Sequence, residues 1–507
     1  MNAPRRSLAA LAGVAAAALG IGVSEAVAGI LPGATSLVDG VGQVVIDLQP
    51  AGAKDLVVQI FGTNDKLALE IVVTIVALLL GAAFGAIASR RPVLAAAGFV
   101  AFGVSALVAA LGQPNANPAI VVVQVAVAVG IAIQTLSWLL GWLRREPAPP
   151  AYSDPGRRSF LLRTAAVGVG ALAAGAFGRT TVTSATSSPA PSTPLPAPAE
   201  VVPPLAPTAD LAPSTPGLTP IVVPNDAFYR IDTALLVPSV DTATWQLRIH
   251  GLVERETTLT WDQLISQPMF EQYCTIACVS NEVGGHLVGN AKWTGVRLRD
   301  ILGIAGPTSA ATQLVGRSVD GWTAGMPMAW VMDPGREPMI AVEMNGEPLP
   351  RQHGYPARLI IPGLYGYVSA TKWLSELELT TWETFDGYWV PLGWAKEGPI
   401  LTQSRIDTPS GTINAGPVPI AGVAWAPDRG ISKVEIGIDD MWYDAMLSTP
   451  ISDATWVQWV HRWDATPGEH RLTVRATDGT GILQDMNHSR PAPDGARGWD
   501  SILVNVT

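Results

Sequence analysis

Residues that commonly bind metals are scarce in this chain, and their distribution is uneven. Its 507 residues include two cysteines and six histidines, and only 15 % of the residues are charged. Residues 2–180 contain no histidine, no cysteine and no methionine, so haem or iron–sulfur ligation there would lack its usual ligands. The net charge of −10, with no basic stripe in the polar part of the chain, argues against nucleic acid as a partner.

Common catalytic signatures are missing as well. The sequence contains no HExxH, no GKS or GKT phosphate loop, no CxxCH, and no GxGxxG followed by a suitable βαβ pattern. The chemistries that depend on these motifs are therefore poor explanations of this chain.

Long apolar runs dominate the N-terminal side instead. Mean hydropathy is +0.28, and about 20 apolar residues suffice to cross roughly 30 Å of hydrocarbon. Runs of this kind cover residues 7–30, 69–88, 93–113, 119–143 and 159–177. We therefore expect about five membrane spans.

Arginine pairs predict the orientation of these spans. They lie at residues 5–6, 90–91, 144–145 and 157–158. All four fall on one side if every run spans, and that side should be cytoplasmic. The segment that carries Asp39, Asp47 and Asp55 then lies outside, and so does everything after the fifth run. We expect a multi-pass protein of the cell membrane with an extracytoplasmic polar part.

The fifth run is similar to a twin-arginine export signal, at residues 157–177 inside the chain, in the sequence GRRSFLLRTAAVGVGALAAGAFG. An ordinary alanine-rich span flanked by arginines is the alternative, and cleavage after export stays open. Residues 1–178 are interpreted as a membrane domain that serves as an anchor or docking platform. Within it, Gln124 and Gln134 are expected to join helices.

Residues 179–219 are rich in Pro, Ala, Ser and Thr, as in SSPAPSTPLPAPAEVVPP. Such a segment cannot bury a core of its own. It is expected to form an extended, semi-rigid spacer, with a glycosylated stalk as the alternative.

Both cysteines lie in one stretch, YCTIACVSNEVGGHLVGNAKWTGVRLRDIL, at residues 273–302. A strand leads to Cys278 and then breaks into a loop rich in Gly and Asn, where a bulky group can reach a thiolate. In a strand the Cα atoms of Cys274 and Cys278 would be roughly 13 Å apart, whereas a disulfide needs less than about 7 Å. A disulfide, two structural thiols and a metal thiolate at Cys278 all stay open, with the last favoured.

A set of basic residues lies in HGYPARLIIPGLYGYVSATKW. Arg358 and Lys372 bracket a nearly uncharged segment in which Gly363 and Gly366 permit close approach of the backbone. Two cations beside a glycine loop suit a phosphate group. His353 alone would more often be structural, but beside these cations it is interpreted as a ligand.

Residues 399–507 change to short alternating strands, VPIAGVAWA, ISKVEIGID, EHRLTVRATD and SILVNV, separated by turns such as PDRG and TPGEH. This pattern predicts an immunoglobulin-like β-sandwich.

The runs CVSNEVGG, GNAKWTGVRLRDIL and VEMNGEPLPRQHGYPARLIIPGLYGYVSATKWL resemble the sulfite oxidase family of molybdopterin enzymes. The resemblance implies an α+β oxidoreductase domain at residues 220–398, followed by the family's dimerisation-type domain. It implies molybdenum–molybdopterin as the cofactor, with Cys278 as the molybdenum ligand. The positions that it implies for binding the pterin are Arg230, Asp320, His353, Arg358, Ser369 and Lys372.

One departure from the family bears on the substrate. Judged by its spacing to His353, Trp322 stands where sulfite oxidases have an active-site tyrosine, and tryptophan lacks the acid chemistry of that residue. An arginine expected from the later domain is also missing, where TWVQWVHRW offers Gln458 and, further on, Arg462. Sulfite, a dianion, requires several arginines. We therefore keep Trp322 as a catalytic candidate and regard sulfite as a doubtful substrate.

The sequence thus predicts an α-helical transmembrane bundle, a sulfite-oxidase-like domain and a β-sandwich. The leading hypothesis is a membrane-anchored enzyme that transfers an oxygen atom to or from a small substrate in a two-electron reaction. A cytochrome or quinone would exchange the electrons, and the C-terminal domain would form a homodimer. The alternative is a non-catalytic surface binding or adhesion module on a stalk, which would hold no metal.

Overall fold

The computed structural model describes residues 3–49, 65–113, 116–144, 155–187 and 195–507. The chain divides into two compact units. The first comprises Met1–Ser188 with Thr233–Ser239, and the second comprises Pro189–Asp232 with Val240–Thr507. We refer to them as the membrane unit and the polar unit.

Helices form most of the described part of the membrane unit. Their bounds are α1 (Ala3–Ile30), α2 (Leu37–Asp47), α3 (Asp65–Ala88), α4 (Pro92–Leu111), α5 (Pro118–Arg144) and α6 (Pro155–Ser187). All except α2 are long and apolar enough to cross a membrane, in agreement with the five apolar runs of the sequence. Helix α2 was not expected, and Asp55 lies outside the described residues.

Small residues let these helices approach one another closely. A Cβ at Gly13 on α1 would lie 2.0 Å from the carbonyl oxygen of Gly81 on α3, and a Cβ at Gly85 would lie 2.2 Å from that of Ala9. Only glycine fits at such positions. Backbone contacts of this kind are typical of helices that associate in lipid.

Gln124 on α5 joins helices, as the sequence predicted. Its side-chain amide donates hydrogen bonds to the carbonyl of Thr35 at 2.8 Å and to the hydroxyl of Ser24 at 3.0 Å. These bonds satisfy a polar side chain that is buried in an apolar bundle.

Strands build most of the polar unit. The strands are β1 (Gln246–Gly251), β2 (Thr257–Thr260), β3 (Met269–Ala277), β4 (Val288–Arg297), β5 (Gln313–Ser318), β6 (Thr323–Pro327), β7 (Met339–Met344), β8 (Glu347–Pro348), β9 (Arg358–Ile360), β10 (Leu374–Thr380), β11 (Gln403–Thr408), β12 (Gly411–Ile413), β13 (Gly416–Trp425), β14 (Ile431–Ile438), β15 (Met441–Asp444), β16 (Met446–Leu447), β17 (Val457–Ala465), β18 (Gly468–Asp478) and β19 (Asp500–Val506). Short helices lie among them: α7 (Trp261–Ile265), α8 (Leu298–Ala305), α9 (Met328–Val331) and α10 (Gly366–Ser369).

Two sheets carry the first part of this unit. Their orders are β2-β1-β10-β5-β6 and β3-β4-β7-β8, with β9 paired to β7. In the second sheet, Cys274 pairs with Ala291 and Ala277 pairs with Val288. Strands β3 and β4 are almost entirely buried near these pairs, so Cys278 follows directly after a strand that the core holds in place.

The last part of the chain is a sandwich of two sheets. Their orders are β11-β13-β17-β16 and β12-β19-β18-β14-β15. Ile420 and Trp459 of the first sheet share one buried core with Val434, Val474 and Val504 of the second. Short alternating strands therefore form a two-layer core, while the immunoglobulin-like assignment stays a prediction.

Residues 195–219 differ from the extended spacer that their composition predicts. The N–H of Ala199 donates to the carbonyl of Met269 at 2.8 Å, and Leu218 is buried. The segment bonds to β3 at residues 199 and 200, turns through a short 3-10 helix at Ala212–Ser214, and obtains from the polar unit the core that it cannot form alone. Residues 179–187 of the predicted linker belong instead to α6, and residues 188–194 lie outside the described residues.

Arg405 on β11 joins the sandwich to the first part of the polar unit. It is 2 % exposed and donates hydrogen bonds to the Asp407 carboxylate at 2.6 Å, the Gly285 carbonyl at 3.0 Å and the Thr219 hydroxyl at 3.0 Å. One guanidinium therefore ties the loop after Cys278 to the C-terminal sandwich.

Replacing Arg405 by methionine should lower the free energy of unfolding by about 3–5 kcal/mol, the usual cost of removing one partner of a buried ion pair. The Asp407 carboxylate, which is also buried, would lose its cation. Chemical unfolding followed by tryptophan fluorescence measures the change. Arg248→Met is the control, because Arg248 is half exposed and pairs with an exposed Glu256, so its loss should be below about 1 kcal/mol. An equal loss of unfolding free energy in Arg405→Met and Arg248→Met would contradict the role of Arg405 as the partner of a buried carboxylate.

Candidate functional site

Cys278 is held by a tight loop directly after β3, where it is 9 % exposed. Its N–H donates to the carbonyl of Leu287 at 2.9 Å, and its carbonyl accepts from the N–H of Asn281 at 3.1 Å. Its sulfur lies 2.9 Å from the hydroxyl oxygen of Ser280. Backbone bonds on both sides of the thiol therefore fix its position.

The C-terminal sandwich supports this loop at Gly284. A Cβ at Gly284 would lie 2.5 Å from a carboxylate oxygen of Asp500, and its φ of +73° also favours glycine. The other carboxylate oxygen of Asp500 accepts the N–H of Ile406 at 2.8 Å. Asp500 on β19 thus fills the space beneath the loop while it is bound to β11.

Both cysteines are free thiols, so the disulfide considered from the sequence is absent. Cys274 lies within β3 and is completely buried. Burial raises the pKa of its thiol to about 12, so Cys274 stays protonated at neutral pH. It acts as a small apolar side chain, which leaves Cys278 as the thiol at the loop.

Arg358 is the most deeply buried of the predicted cofactor-binding cations, at 3 % exposed. It donates to the carbonyl of His353 at 3.0 Å and lies 5.1 Å from the ring centroid of Trp293. Its Nε has no hydrogen-bond partner among the described residues. Burial lowers its pKa to about 10, so it remains charged at neutral pH. A buried charge with an unused donor favours binding of an anion.

Lys372 and Arg230 share a single carboxylate. The Lys372 Nζ lies 3.2 Å from an oxygen of Asp232, and the Arg230 Nε lies 2.9 Å from the same oxygen. Burial lowers the pKa of Lys372 to about 8; Asp232 opposes this effect, whereas Arg358 and Arg230 add to it. The three cations are thus close enough to influence one another.

His353 is neutral in this cluster. It is buried, and its Nε2 lies 3.0 Å from the carbonyl oxygen of Asn225. Burial lowers its pKa to about 3, and Lys372 and Arg358 act in the same direction. Because a carbonyl can only accept, we assign the ring proton to Nε2, which leaves Nδ1 as an acceptor.

The charges of this cluster match an anionic cofactor. Arg230, Arg358 and Lys372 contribute three positive charges, and the carboxylates of Asp232 and of the neighbouring Asp320 contribute two negative charges when both are ionised, so three minus two leaves a net charge of +1. A phosphate monoester carries roughly two negative charges at neutral pH. The Nε of Arg358 has no partner in the described part of the chain. The cluster therefore fits a pterin that bears a phosphate.

Asp320 and Trp322 lie beside this cluster. An Asp320 carboxylate oxygen accepts the N–H of Trp322 at 3.1 Å. Burial raises the pKa of Asp320, and both Asp232 and Lys372 are near enough to influence it. Asp320 therefore lies on the cofactor side, and Trp322 is held next to it, partly buried against the core.

Ser369 supports the chain at the end of α10. Its buried hydroxyl lies 3.0 Å from the carbonyl oxygen of Tyr365 and 3.3 Å from that of Leu364. The hydroxyl proton is used within the chain, so only its acceptor lone pairs remain for a cofactor.

Two tyrosines near Cys278 were not predicted from the sequence. Burial raises the pKa of Tyr365 to about 12, and Cys278 contributes to the increase. Burial also raises the pKa of Tyr229 far above its usual value, again with a contribution from Cys278. Such influence requires short distances. The only signals in the sequence are their positions: Tyr229 is next to Arg230, and Tyr365 lies between Gly363 and Gly366.

Gln458 and Arg462, considered in place of the missing arginine, have other surroundings. The Gln458 amide donates to the Asp210 carboxylate at 3.0 Å and to the Thr219 carbonyl at 2.7 Å. Arg462 is exposed. Gln458 therefore holds part of the segment 195–219 against the rest of the polar unit.

Residues 234–389 match the oxidoreductase molybdopterin binding domain. Mitochondrial sulfite oxidase of Homo sapiens is 29 % identical over 303 residues, which are 50 % of this chain and 55 % of that protein. NADH nitrate reductase of Hordeum vulgare is 33 % identical over 179 residues, which are 30 % of this chain and 19 % of that protein. The sulfane dehydrogenase SoxCD from Paracoccus pantotrophus is similar in fold, with a TM-score of 0.50 at 23 % identity, over 57 % of this chain and 84 % of that chain.

These similarities agree with the resemblance that the motifs indicated. Residues 234–389 match a molybdopterin binding domain, and the chain is similar to sulfite oxidases, which supports a molybdopterin-dependent oxidoreductase with molybdenum–molybdopterin as its cofactor. It spans about half the length of the curated sulfite oxidases that it matches. The apolar N-terminal helices are compatible with a membrane anchor.

Anion binding at this cluster should depend on the protonation of Lys372. Its pKa of about 8 means that the site loses one positive charge as the pH rises through that value. Sulfate remains a dianion throughout, so it should bind the cofactor-free protein less tightly at about pH 9 than at about pH 7. Isothermal titration calorimetry measures the affinity. In Lys372→Arg the charge persists, and binding should be nearly the same at both pH values. A wild-type affinity that does not change with pH would refute the role of Lys372.

Proposed function

We propose that this protein is a membrane-anchored molybdenum enzyme that transfers an oxygen atom on the outer side of the cell membrane, with a small substrate other than sulfite. The observation that carries the proposal is a loop-held thiol, Cys278, in the same unit as a cluster of cations in which Arg358 is buried and Lys372 largely buried, while Arg230 is exposed. A thiolate suits a soft metal, and the cations suit a phosphate.

Bound molybdenum–molybdopterin would supply two-electron redox chemistry together with exchange of an oxygen atom. Cys278 would hold the metal through its sulfur. Arg230, Arg358 and Lys372 would bind the phosphate by charge. The neutral His353 would accept a hydrogen bond through Nδ1. Asp320 and Ser369 would orient the pterin. The full set proposed to hold the pterin is Arg230, Asp320, His353, Arg358, Ser369 and Lys372.

Tyr365 would provide the hydroxyl donor that Trp322 lacks. It is buried near Cys278, and its pKa of about 12 keeps the phenol protonated at neutral pH. A protonated phenol donates a hydrogen bond. We therefore assign Tyr365 as the donor on the metal side of the site, and Trp322 as an apolar neighbour of the pterin.

The charges near Cys278 disfavour sulfite. Arg497 lies close enough to Tyr365 to influence its pKa, but its two terminal nitrogens donate to the carboxylate of Asp494 at 2.9 and 2.7 Å. This pairing neutralises the arginine. A dianionic substrate requires several uncompensated cations, and the deeply buried Arg358 is assigned to the cofactor.

The export-signal-like helix α6 would remain as the fifth span. A Cβ at Gly22 of α1 would lie 2.4 Å from the carbonyl oxygen of Ala171 on α6, and a Cβ at Gly178 would lie 2.1 Å from that of Glu25. The two helices therefore pack backbone against backbone, a contact that specifies an interface within lipid.

An ion cluster adds to this packing. Arg179 on α6 donates to both carboxylate oxygens of Asp39, at 3.0 and 2.8 Å, and it also bonds to Glu70 on α3. Asp39 is completely buried. Removal of α6 would leave that carboxylate without its cation, which is costly in an apolar environment. We therefore propose that α6 is retained.

The electron partner would be a separate cytochrome or a quinone. Residues 2–180 contain no histidine, cysteine or methionine, so the membrane unit would serve as an anchor rather than as a haem carrier. A homodimer through residues 399–507 is proposed on the family resemblance alone.

The two cysteines provide a matched test of the metal site. Wild-type protein from a molybdenum-competent host should hold about one molybdenum per chain. Cys278→Ser should lose the metal or its catalytic activity, and Cys274→Ser should retain both, since only the loop thiol is proposed to bind. Elemental analysis and viologen-linked activity measure the outcome. Folded wild-type protein without molybdenum would refute the proposal and favour the stalked binding module.

Retention of α6 predicts an intact chain in the membrane. Mass spectrometry of the extracted protein should find residues on both sides of α6 in one polypeptide of about 53.1 kDa. Arg179→Met should lower the melting temperature in detergent more than Arg163→Met, because Arg163 stacks on the Trp142 ring whereas Arg179 serves a buried carboxylate. A mature polar fragment that lacks α6, or equal melting of the two variants, would contradict retention.

A further inference from the structure

The polar unit contains a row of aromatic rings to which the proposed chemistry assigns no role. The centroids of Tyr367 and Trp394 are 6.0 Å apart, those of Trp394 and Trp389 are 6.4 Å apart, and those of Trp389 and Tyr388 are 5.1 Å apart. These separations are typical of packed aromatic pairs. We call these four residues the aromatic wall.

One end of the wall lies near the thiol loop. Tyr367 belongs to α10, and a Cβ at Gly366, the first residue of that helix, would lie 3.7 Å from the carbonyl oxygen of Ala277. Ala277 immediately precedes Cys278. Tyr365, just before Gly366, is near enough to Cys278 and to Tyr367 for each pair to interact electrostatically.

The other end of the wall lies beside β6. The N–H of Tyr388 donates to the carbonyl of Thr323 at 3.1 Å, and a Cβ at Gly387 would lie 3.2 Å from the backbone nitrogen of Gly325. Trp322 immediately precedes Thr323. The wall thus extends from the neighbourhood of the thiol to the position where this chain has tryptophan instead of tyrosine.

Several hydrogen bonds hold the wall in place. The Tyr367 hydroxyl donates to the carbonyl of Ala395 at 2.7 Å. The Lys396 Nζ donates to the carbonyl of Phe385 at 2.7 Å and also to that of Trp382. These bonds hold the segment that carries Trp389 and Trp394 in one conformation before any ligand binds. Less conformational entropy is then lost when a flat group binds to it.

The basic side chains beside the wall are paired with carboxylates. Lys396 lies 2.7 Å from Asp386, and Arg497 is bound by both oxygens of Asp494. This side of the site thus presents rings and neutral ion pairs, in contrast to the net positive charge on the pterin side.

We propose that the substrate is a neutral molecule with a flat apolar group, which stacks on the partly exposed ring of Trp394 while the atom that gains or loses oxygen points toward Cys278. The inference rests on the proposed function, because it assigns the substrate class of that same site. A dianion would gain nothing from such a wall, whereas an aromatic group gains roughly 0.5–1.5 kcal/mol from a packed ring beyond the area that it buries.

Aryl and alkyl sulfoxides are suitable probes of this inference. In their reduction the S–O bond breaks, two electrons and two protons are taken up, and a thioether and water form. Two molecules of a reduced viologen, a one-electron donor, supply the electrons. Methyl phenyl sulfoxide and dimethyl sulfoxide undergo the same reaction and differ in the flat group.

The test uses the full-length, molybdenum-loaded protein in detergent. The KM for methyl phenyl sulfoxide should be several-fold below that for dimethyl sulfoxide, and sulfite should compete with neither. Trp394→Leu should raise the KM for the phenyl compound about three- to tenfold while changing its kcat, and both constants for the dimethyl compound, by less than about twofold. Trp394→Phe should restore most of the loss. The control is Trp442→Leu on the exposed edge strand β15, which should change neither KM.

Direct binding separates this inference from the proposed function. Calorimetry of methyl phenyl sulfoxide with the purified protein needs no turnover, and its Kd should rise about three- to tenfold in Trp394→Leu. Equal Kd values for wild type and Trp394→Leu, equal effects of the variant on both sulfoxides, or a preference for sulfite would overturn the inference, whereas molybdenum-dependent turnover would leave the proposed function standing. Absence of molybdenum with a normal Kd difference would overturn the function alone.

Discussion

Positive charge at a largely buried site is the constraint on which the rest of the polar unit depends. Taking Arg358 and Lys372 out of water costs several kcal/mol per cation unless opposite charge replaces the lost hydration, and Asp232, which bonds to Lys372, is shared with the exposed Arg230. The surroundings reduce the remaining cost. Backbone carbonyls of Gln352 and His353 accept from Lys372 and Arg358, and His353 itself is neutral. A phosphate would complete this balance, so the cofactor is an electrostatic part of the fold as well as its chemical agent.

The thiol loop depends on a second constraint, which comes from the far end of the chain. Strand β3 brings Cys278 to the edge of a covered sheet, but the loop beyond it has little core of its own. Arg405 binds its carbonyl oxygen at Gly285, and Asp500 fills the space beneath Gly284. The sandwich is therefore part of the site, whatever its role in association between chains.

Local sequence patterns predicted what local residues determine. Apolar runs predicted five long apolar helices, and the cysteine and basic motifs singled out Cys278, Arg358 and Lys372, because charge and thiol chemistry are visible in single residues. Patterns did not predict contacts between distant residues. Arg405 and Gly285 are 120 positions apart, and Arg179 and Asp39 are 140 apart. Residues 195–219 were expected to be a spacer because composition describes a segment in isolation, and the surface that covers Leu218 belongs to other parts of the chain.

The contact between Gly284 and Asp500 has a consequence for how the chain can change in evolution. The two residues are 216 positions apart in the sequence, yet the carboxylate of Asp500 occupies the space that a side chain at position 284 would need. Asp500 is also bound to the N–H of Ile406, so it cannot simply move aside. Positions 284 and 500 should therefore vary together among related sequences, since a larger residue in the loop would need a smaller one on the strand.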